Sequence, residues 1–202
     1  MKGKGKGEIG YFSSERRRRC ILSFILLLVP LAVIVAGLLI FKGEKNLLTV
    51  IGLVLTIPFA MQLTTTIPVF LHKSVDDETA EKLKAHEGSL MMAYELYVTN
   101  EKGSTMVDAF AICGGTVVGL VTEKTDNLAF TKEYIEKTMR ANGISATVQF
   151  LRELPAFLER MDSMNAHASS LREGNAAFKP DQRYPDYDKE QMIWHLLTRL
   201  SL

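Results

Sequence analysis

The chain has 202 residues, room for one ordinary domain plus extra segments, and its formal net charge of +1 hides two opposite halves. Residues 1–19 hold seven Lys/Arg against Glu8 and Glu15, a net of +5, whereas residues 73–202 hold 15 basic against 20 acidic residues, a net of −5. An acidic C-terminal part lacks the basic footprint of a nucleic-acid binder, so no nucleic-acid partner is expected, and Cys20 and Cys113 offer neither CxxC nor Cys/His metal spacing.

The opening "MKGKGKGEIGYFSSERRRR" is rich in glycine and charge, which predicts a basic disordered tail over 1–19. Its GxGxG spacing follows no strand and has no Lys-Ser/Thr ending, so it does not read as a phosphate loop. Arg16, Arg17, Arg18 and Arg19 are expected at the membrane surface. They serve as a topology signal, as attraction to anionic headgroups worth about 1 kcal/mol per basic residue, or as both.

From Cys20 to Phe41 the chain carries no charge. These 22 residues, as a helix, cover about 33 Å against a hydrocarbon core of about 30 Å. A signal peptide has a shorter apolar region and a small-residue cleavage site, but this stretch ends Leu-Leu-Ile-Phe. Pro30 is expected to kink the helix, which membrane helices tolerate. A second uncharged run extends from Asn46 to Leu71, densest between Leu47 and Leu63, with bends expected at Pro58 and Pro68. The connection through Lys42, Gly43, Glu44 and Lys45 is short enough to require an antiparallel hairpin, so 20–71 is predicted to be a two-helix transmembrane hairpin. Ala32 and Ala36, with Gly52, Thr56 and Ala60, have the spacing of a close helix seam, or simply reflect how common small residues are in spans. Neither run holds an ionisable residue of the kind that marks an ion path. The Lys/Arg bias places the N-terminus in the cytoplasm, and two spans return the C-terminus to the same side.

Residues 73–88 are predicted to be a helical stalk that starts near Ser74 and stops before Gly88, with little apolar face beyond Ala80 and Leu83. Residues 89–202 read as a cytoplasmic α+β domain: a three- or four-stranded sheet with packed helices. Residues 92–99 suit a strand with Tyr94, Leu96 and Val98 on one face, although Leu90, Met91 and Tyr94 also fit a helical stripe. Residues 105–112 and 116–122 form a hairpin about Gly114 and Gly115. A helix follows, with Phe130, Tyr134, Ile135 and Met139 at helical spacing and a stop at Asn142 and Gly143. "ISATVQF" reads as a strand, and "PAFLERMDSM" as a helix with Phe157, Leu158, Met161 and Met164 inward. Residues 166–186 are a loop or ordered arm. The last helix opens with a capping box at Asp188 and Gln191 and puts Met192, Ile193, Leu196, Leu197 and Leu200 on one side, a stripe that suits core packing or a partner surface.

One constellation bears on chemistry. The hairpin register places Asp108 on a face with Met106, Phe110 and Ile112, with Glu123 diagonally across, roughly 7–8 Å away. Two carboxylates at that distance suit a shared divalent cation. "VDAFAICGGTVVGLVTEKTDN" resembles the core hairpin of NERD and other restriction-endonuclease-like domains, with Asp108 and Glu123 at the two acidic positions. Thr125 stands where that pattern has a lysine, and Lys124 is expected on the opposite face. The histidines His72, His86, His167 and His195 are scattered, and Cys113 beside the turn reads as a small core residue rather than a nucleophile.

The whole layout, with its two N-terminal spans, "YELYVT", "DAFAICGGTVVG", "ELPAFLERM" and a "LSL" end, resembles a group of small bacterial two-span membrane proteins named "O-linked GlcNAc transferase-like". The likeness implies the architecture. Sugar transfer does not follow from these residues, which contain no helical repeat and no nucleotide-sugar loop. The expectation is a multi-pass cell-membrane protein with both termini cytoplasmic, no cofactor, and partners limited to the bilayer and either a protein or a second copy. A noncatalytic binding or self-associating module is favoured over an enzyme; the alternative is a metal-dependent, nuclease-like hydrolase that uses Asp108 and Glu123 at the membrane face.

Overall fold

The computed structural model describes residues 5–41, 47–71, 74–125, 127–173, 175, 178–180 and 183–201. They form two units, one of residues 12–71 and one of residues 74–201 with the segment 5–11.

The first unit is built on two long apolar helices, α1 (Tyr11–Phe41) and α2 (Leu47–Leu71). Pro30 lies inside α1 without ending it. The predicted disordered tail is corrected for residues 11–19, which are helical: Glu15 meets Arg18 and Arg19 one turn on, at 3.4 and 3.1 Å, and such pairs support a helix. Residues 1–4 and the connection 42–46 lie outside the described residues. The contact between the helices centres on Gly52, where an added Cβ would sit 2.4 Å from Ile34 Cγ1 and 3.2 Å from the Pro30 carbonyl. Gly37 and Pro30 on α1 and Gly52 on α2 are buried, whereas Ala32 and Ala60 are exposed. The seam therefore uses only part of the expected small-residue set. Most other apolar side chains point outward, among them Leu39, Leu47 and Met61 at 73, 74 and 68% exposure.

The second unit is a four-stranded mixed sheet with helices on both faces. Its elements are α3 (Asp77–Glu87), β1 (Met91–Asn100), β2 (Gly103–Cys113), β3 (Thr116–Leu120), α4 (Leu128–Ala141), β4 (Thr147–Leu151), α5 (Leu154–Ala166), α6 (Ala168–Arg172) and α7 (Lys189–Leu200). Strand order is β1-β2-β3-β4; the first two pairings are antiparallel and β3–β4 is parallel, with α4 as the crossover a parallel pair requires. Cys113 pairs with Thr116 across the Gly114–Gly115 turn, with Gly114 at φ 58°. A Cβ at Gly114 would stand 1.9 Å from the Leu171 carbonyl oxygen, so the turn tip needs glycine for shape as well as for its backbone angle.

One face of the sheet packs Phe110, Ile112, Val117 and Val148 against Ile135 and Met139 of α4 and Met192, Ile193 and Leu197 of α7. The other packs Ala109, Ala111, Cys113 and Val118 against Leu83 of α3 and Phe157, Met161 and Met164 of α5. Two expectations change here. The α3 segment is not a solvated stalk: Leu83 is fully buried in the second core, and Asn165 of α5 bonds the Ser89 amide and the His86 carbonyl at α3's end. Its cap is Asp76, accepting from the Thr79 amide at 2.9 Å, rather than Ser74. The α7 stripe is core on its most apolar line, and the capping box forms as expected.

β1 is an edge strand, and the chain's two ends cover it. The Tyr94 amide donates to the Gly7 carbonyl at 2.9 Å, the Tyr97 amide donates to Ser201 Oγ at 3.0 Å, and the Trp194 indole donates to the Met92 carbonyl at 3.0 Å. An edge whose polar groups are met within the chain is less open to pairing with another strand.

Candidate functional site

The β2–β3 ladder runs only to Ala109 opposite Leu120. Beyond it the Val121 amide turns away to the Leu151 carbonyl, at 2.8 Å. Asp108 fills the vacated acceptor role, its Oδ2 receiving the Thr122 amide and hydroxyl, each at 2.8 Å. Asp108 thus bonds a nearby backbone amide at the sheet's rim. Glu123 and Lys124 are exposed and lie past the end of β3, so the β2–β3 ladder does not itself set Glu123 diagonally across from Asp108, although the charge of Glu123 still reaches Asp108. The shared face expected for Asp108, Phe110 and Ile112 also fails, because alternation breaks at this point: Val107 joins Phe110 and Ile112 in the α4/α7 core. Burial pushes the Asp108 carboxyl upward, the Thr122 bonds pull it back, and the charges of Glu123 and Glu95 add to the net rise. Among the described residues no group of three or more His, Cys, Asp or Glu side chains is placed to hold a metal ion.

Directly opposite Asp108 in register stands Glu95, which the sequence reading passed over. Residues on either side of both positions are paired, but these two are not. Glu95 is the single non-glycine residue at positive φ among the described residues, at 53°, and it is fully buried. One residue in this conformation inverts the strand's alternation, so Tyr94 faces the α3/α5 core while Leu96 and Val98 both face the α4/α7 core. The expected common face for those three residues is therefore split. Glu95 Oε1 accepts from the Gly10 amide at 2.9 Å, from the Val75 amide at 3.1 Å and from the Ser74 hydroxyl. The available signal was a carboxylate inside the apolar run "AYELYV".

A second buried carboxylate, Glu190 at the start of α7, was also missed. Its Oε1 takes the Gly114 amide at 2.6 Å and Arg172 Nε at 2.7 Å, and its Oε2 takes Arg172 Nη2 at 3.0 Å. The same guanidinium reaches the Ser89 carbonyl at 2.6 Å, so one ion pair joins α6, α7, the β2–β3 turn and the start of β1. Burial raises the Glu190 carboxyl, but the donors from Arg172 and Gly114 outweigh it and the net shift is downward. Cys113 beneath this cluster is fully buried, and burial pushes its thiol up, which suits a core residue rather than a nucleophile.

Arg16, Arg17, Arg18 and Arg19 share the first turns of α1. Arg18 and Arg19 face Glu15, and the Arg16 guanidinium carbon lies 5.7 Å from the centre of the Phe70 ring near the end of α2, a cation–π distance. The histidines stay apart: His86 meets Asp162 at 2.7 Å, His167 meets the Ser163 carbonyl at 2.9 Å, and His195 packs between the rings of Tyr184 and Tyr187. His72 lies outside the described residues. A shallow depression of about 330 Å³ beside α4 is lined by Asn100, Lys102, Phe130, Tyr134 and Lys137 among others, and Lys102 Nζ stands 3.7 Å over the Phe130 ring. No family model, no curated protein and no solved structure matches this chain.

Proposed function

We propose that the chain is a membrane-anchored module: α1 and α2 span the bilayer as a hairpin, both termini are cytoplasmic, and the α+β domain binds a protein partner or a second copy without catalysis. The carrying observation is the outward apolar surface of the helix pair. Over the most apolar 18 residues of α1 and of α2, 11% and 6% are buried, the reverse of a soluble core helix. So much contiguous apolar surface needs a cover, since soluble monomers rarely expose patches above a few hundred Å². The noncatalytic part of the reading rests on where the polar groups go. Glu95, Asp108 and Glu190 are each engaged with amides, hydroxyls or a guanidinium of the fold. The α7 stripe lends the reading no surface, because it is spent on the core.

The hydrolase alternative at Asp108 and Glu123 gains nothing from this geometry. Crosslinking of the full chain in its native membrane after an alkaline wash tests the reading. Retention in the pellet with discrete dimer or heterologous adducts is expected. Release by the wash would overturn the anchor, and uncrosslinked monomer alone would overturn the binding role.

A further inference from the structure

We propose that Glu95 is a latch that ties both chain connections of the apolar helix pair to one point of the sheet, so that a displacement of either connection is transmitted to the other and to the β1–β2 ladder. Three unfavourable features coincide at this residue. A carboxylate is buried completely, a side chain with a Cβ adopts the left-handed backbone, and the ladder of the edge strand is interrupted. What they have in common is the delivery of Oε1 to donors from outside the sheet. Gly10 lies 85 residues earlier in sequence, Val75 20 residues earlier and Ser74 21 residues earlier. Gly10 is the residue immediately before α1, and Ser74 and Val75 follow three and four residues after α2 ends. The chain's way into the helix pair and its way out therefore share one acceptor atom. Onward transmission has a physical route too: Asp108, opposite Glu95, feels its charge and holds Thr122 in the segment leading from β3 to α4. The latch is a property of the domain and its two connections, whatever covers α1 and α2.

Hydrogen exchange on the full chain in detergent tests this, with Trp194 fluorescence as a second readout, because that only tryptophan packs within 3.1 Å of a Cβ position at Gly7. Glu95→Gln is expected to speed exchange at Gly10 and Val75 together, by about tenfold, as charge-assisted bonds are lost at both. The Trp194 emission should shift to the red and exchange should rise at the β1–β2 pairs flanking Glu95, Tyr94 with Ala109 and Leu96 with Val107, while β3 amides stay protected. Ser74→Ala, a mild change at one connection, is expected to raise exchange at Gly10 as well as at Val75. A response confined to one segment in Glu95→Gln, or none, overturns the latch. If Glu95→Gln fails to fold, Ser74→Ala decides: unchanged exchange at Gly10 overturns the coupling.

Discussion

Glu190, which is buried, and Asp108, which is half-buried, are carboxylates with opposite electrostatic outcomes, and the difference lies in their donors. Glu190 gains a guanidinium and a turn amide, and its side chain is 9% exposed. Its carboxyl titrates below the ordinary value of 4.5, so its stabilisation is full above that pH and lost as pH falls through the lower folded value. Asp108 has neutral donors and two acidic neighbours, and it titrates above the ordinary 3.8. Its contribution is full below 3.8 and is lost as pH rises through the higher folded value. Glu190→Gln should therefore destabilise the domain by about 2 kcal/mol at pH 7. That is less than the cost of breaking a wholly buried pair, because the Arg172 side chain is 34% exposed to screening solvent. The gap from wild type should shrink as pH drops below about 4.5, in the direction the Glu190 shift requires. Denaturant unfolding at several pH values, followed by Trp194, measures both effects. A gap independent of pH would show that the Arg172–Glu190 charge is not the source.

At the scale of elements, the helix pair tests whether small residues matter by identity or by position. Gly52 is buried, with Ile34 and the Pro30 carbonyl already at the limit of approach, whereas Ala60 two turns later is exposed. Gly52→Leu should overpack the seam and cost about 1–3 kcal/mol, and Ala60→Leu should cost little. Thermal unfolding in detergent by circular dichroism separates them; equal effects would mean that the seam runs elsewhere. Sequence spacing alone named both residues, because a one-turn repeat does not say which of several faces is used. The same limit explains what was legible elsewhere. Long apolar runs, the two-glycine turn and the Asp188–Gln191 cap depend on local rules, and each stands where the residues put it. The α3 segment did not read as core, because two apolar residues make a weak stripe until α5 supplies the other half. Asp108 and Glu123 were paired by extending the ladder past Leu120, and Glu95 was passed over because strict alternation assumes an unbroken strand. Local periodicity reveals elements; their interruptions come from distant segments, here Gly10, Ser74 and Val75.

For the whole molecule, the proposed placement of the domain rests on where positive charge accumulates. Residues 1–19 carry seven Lys/Arg, against Lys42 and Lys45 between the two apolar runs. The helix α1 begins at Tyr11, so Arg16, Arg17, Arg18 and Arg19 lie within a few residues of the uncharged stretch, where basic residues weigh most on orientation. On the proposed two-span topology the C-terminus shares the side of the N-terminus, and a reporter fused after Leu202 should be active inside the cell. The stronger test moves the charge. Changing the four arginines to glutamine leaves Lys2, Lys4 and Lys6 before the first span. Inserting four arginines beside Lys42 and Lys45 then reverses the bias, and the reporter should appear outside. A carboxylate cannot substitute for this signal, since acidic residues contribute little to the rule, so removing Glu15 should leave the orientation unchanged. Export of the reporter by the wild-type chain would put the domain, with Glu95, Asp108 and Glu190, on the far side of the membrane, and would require a partner from that compartment.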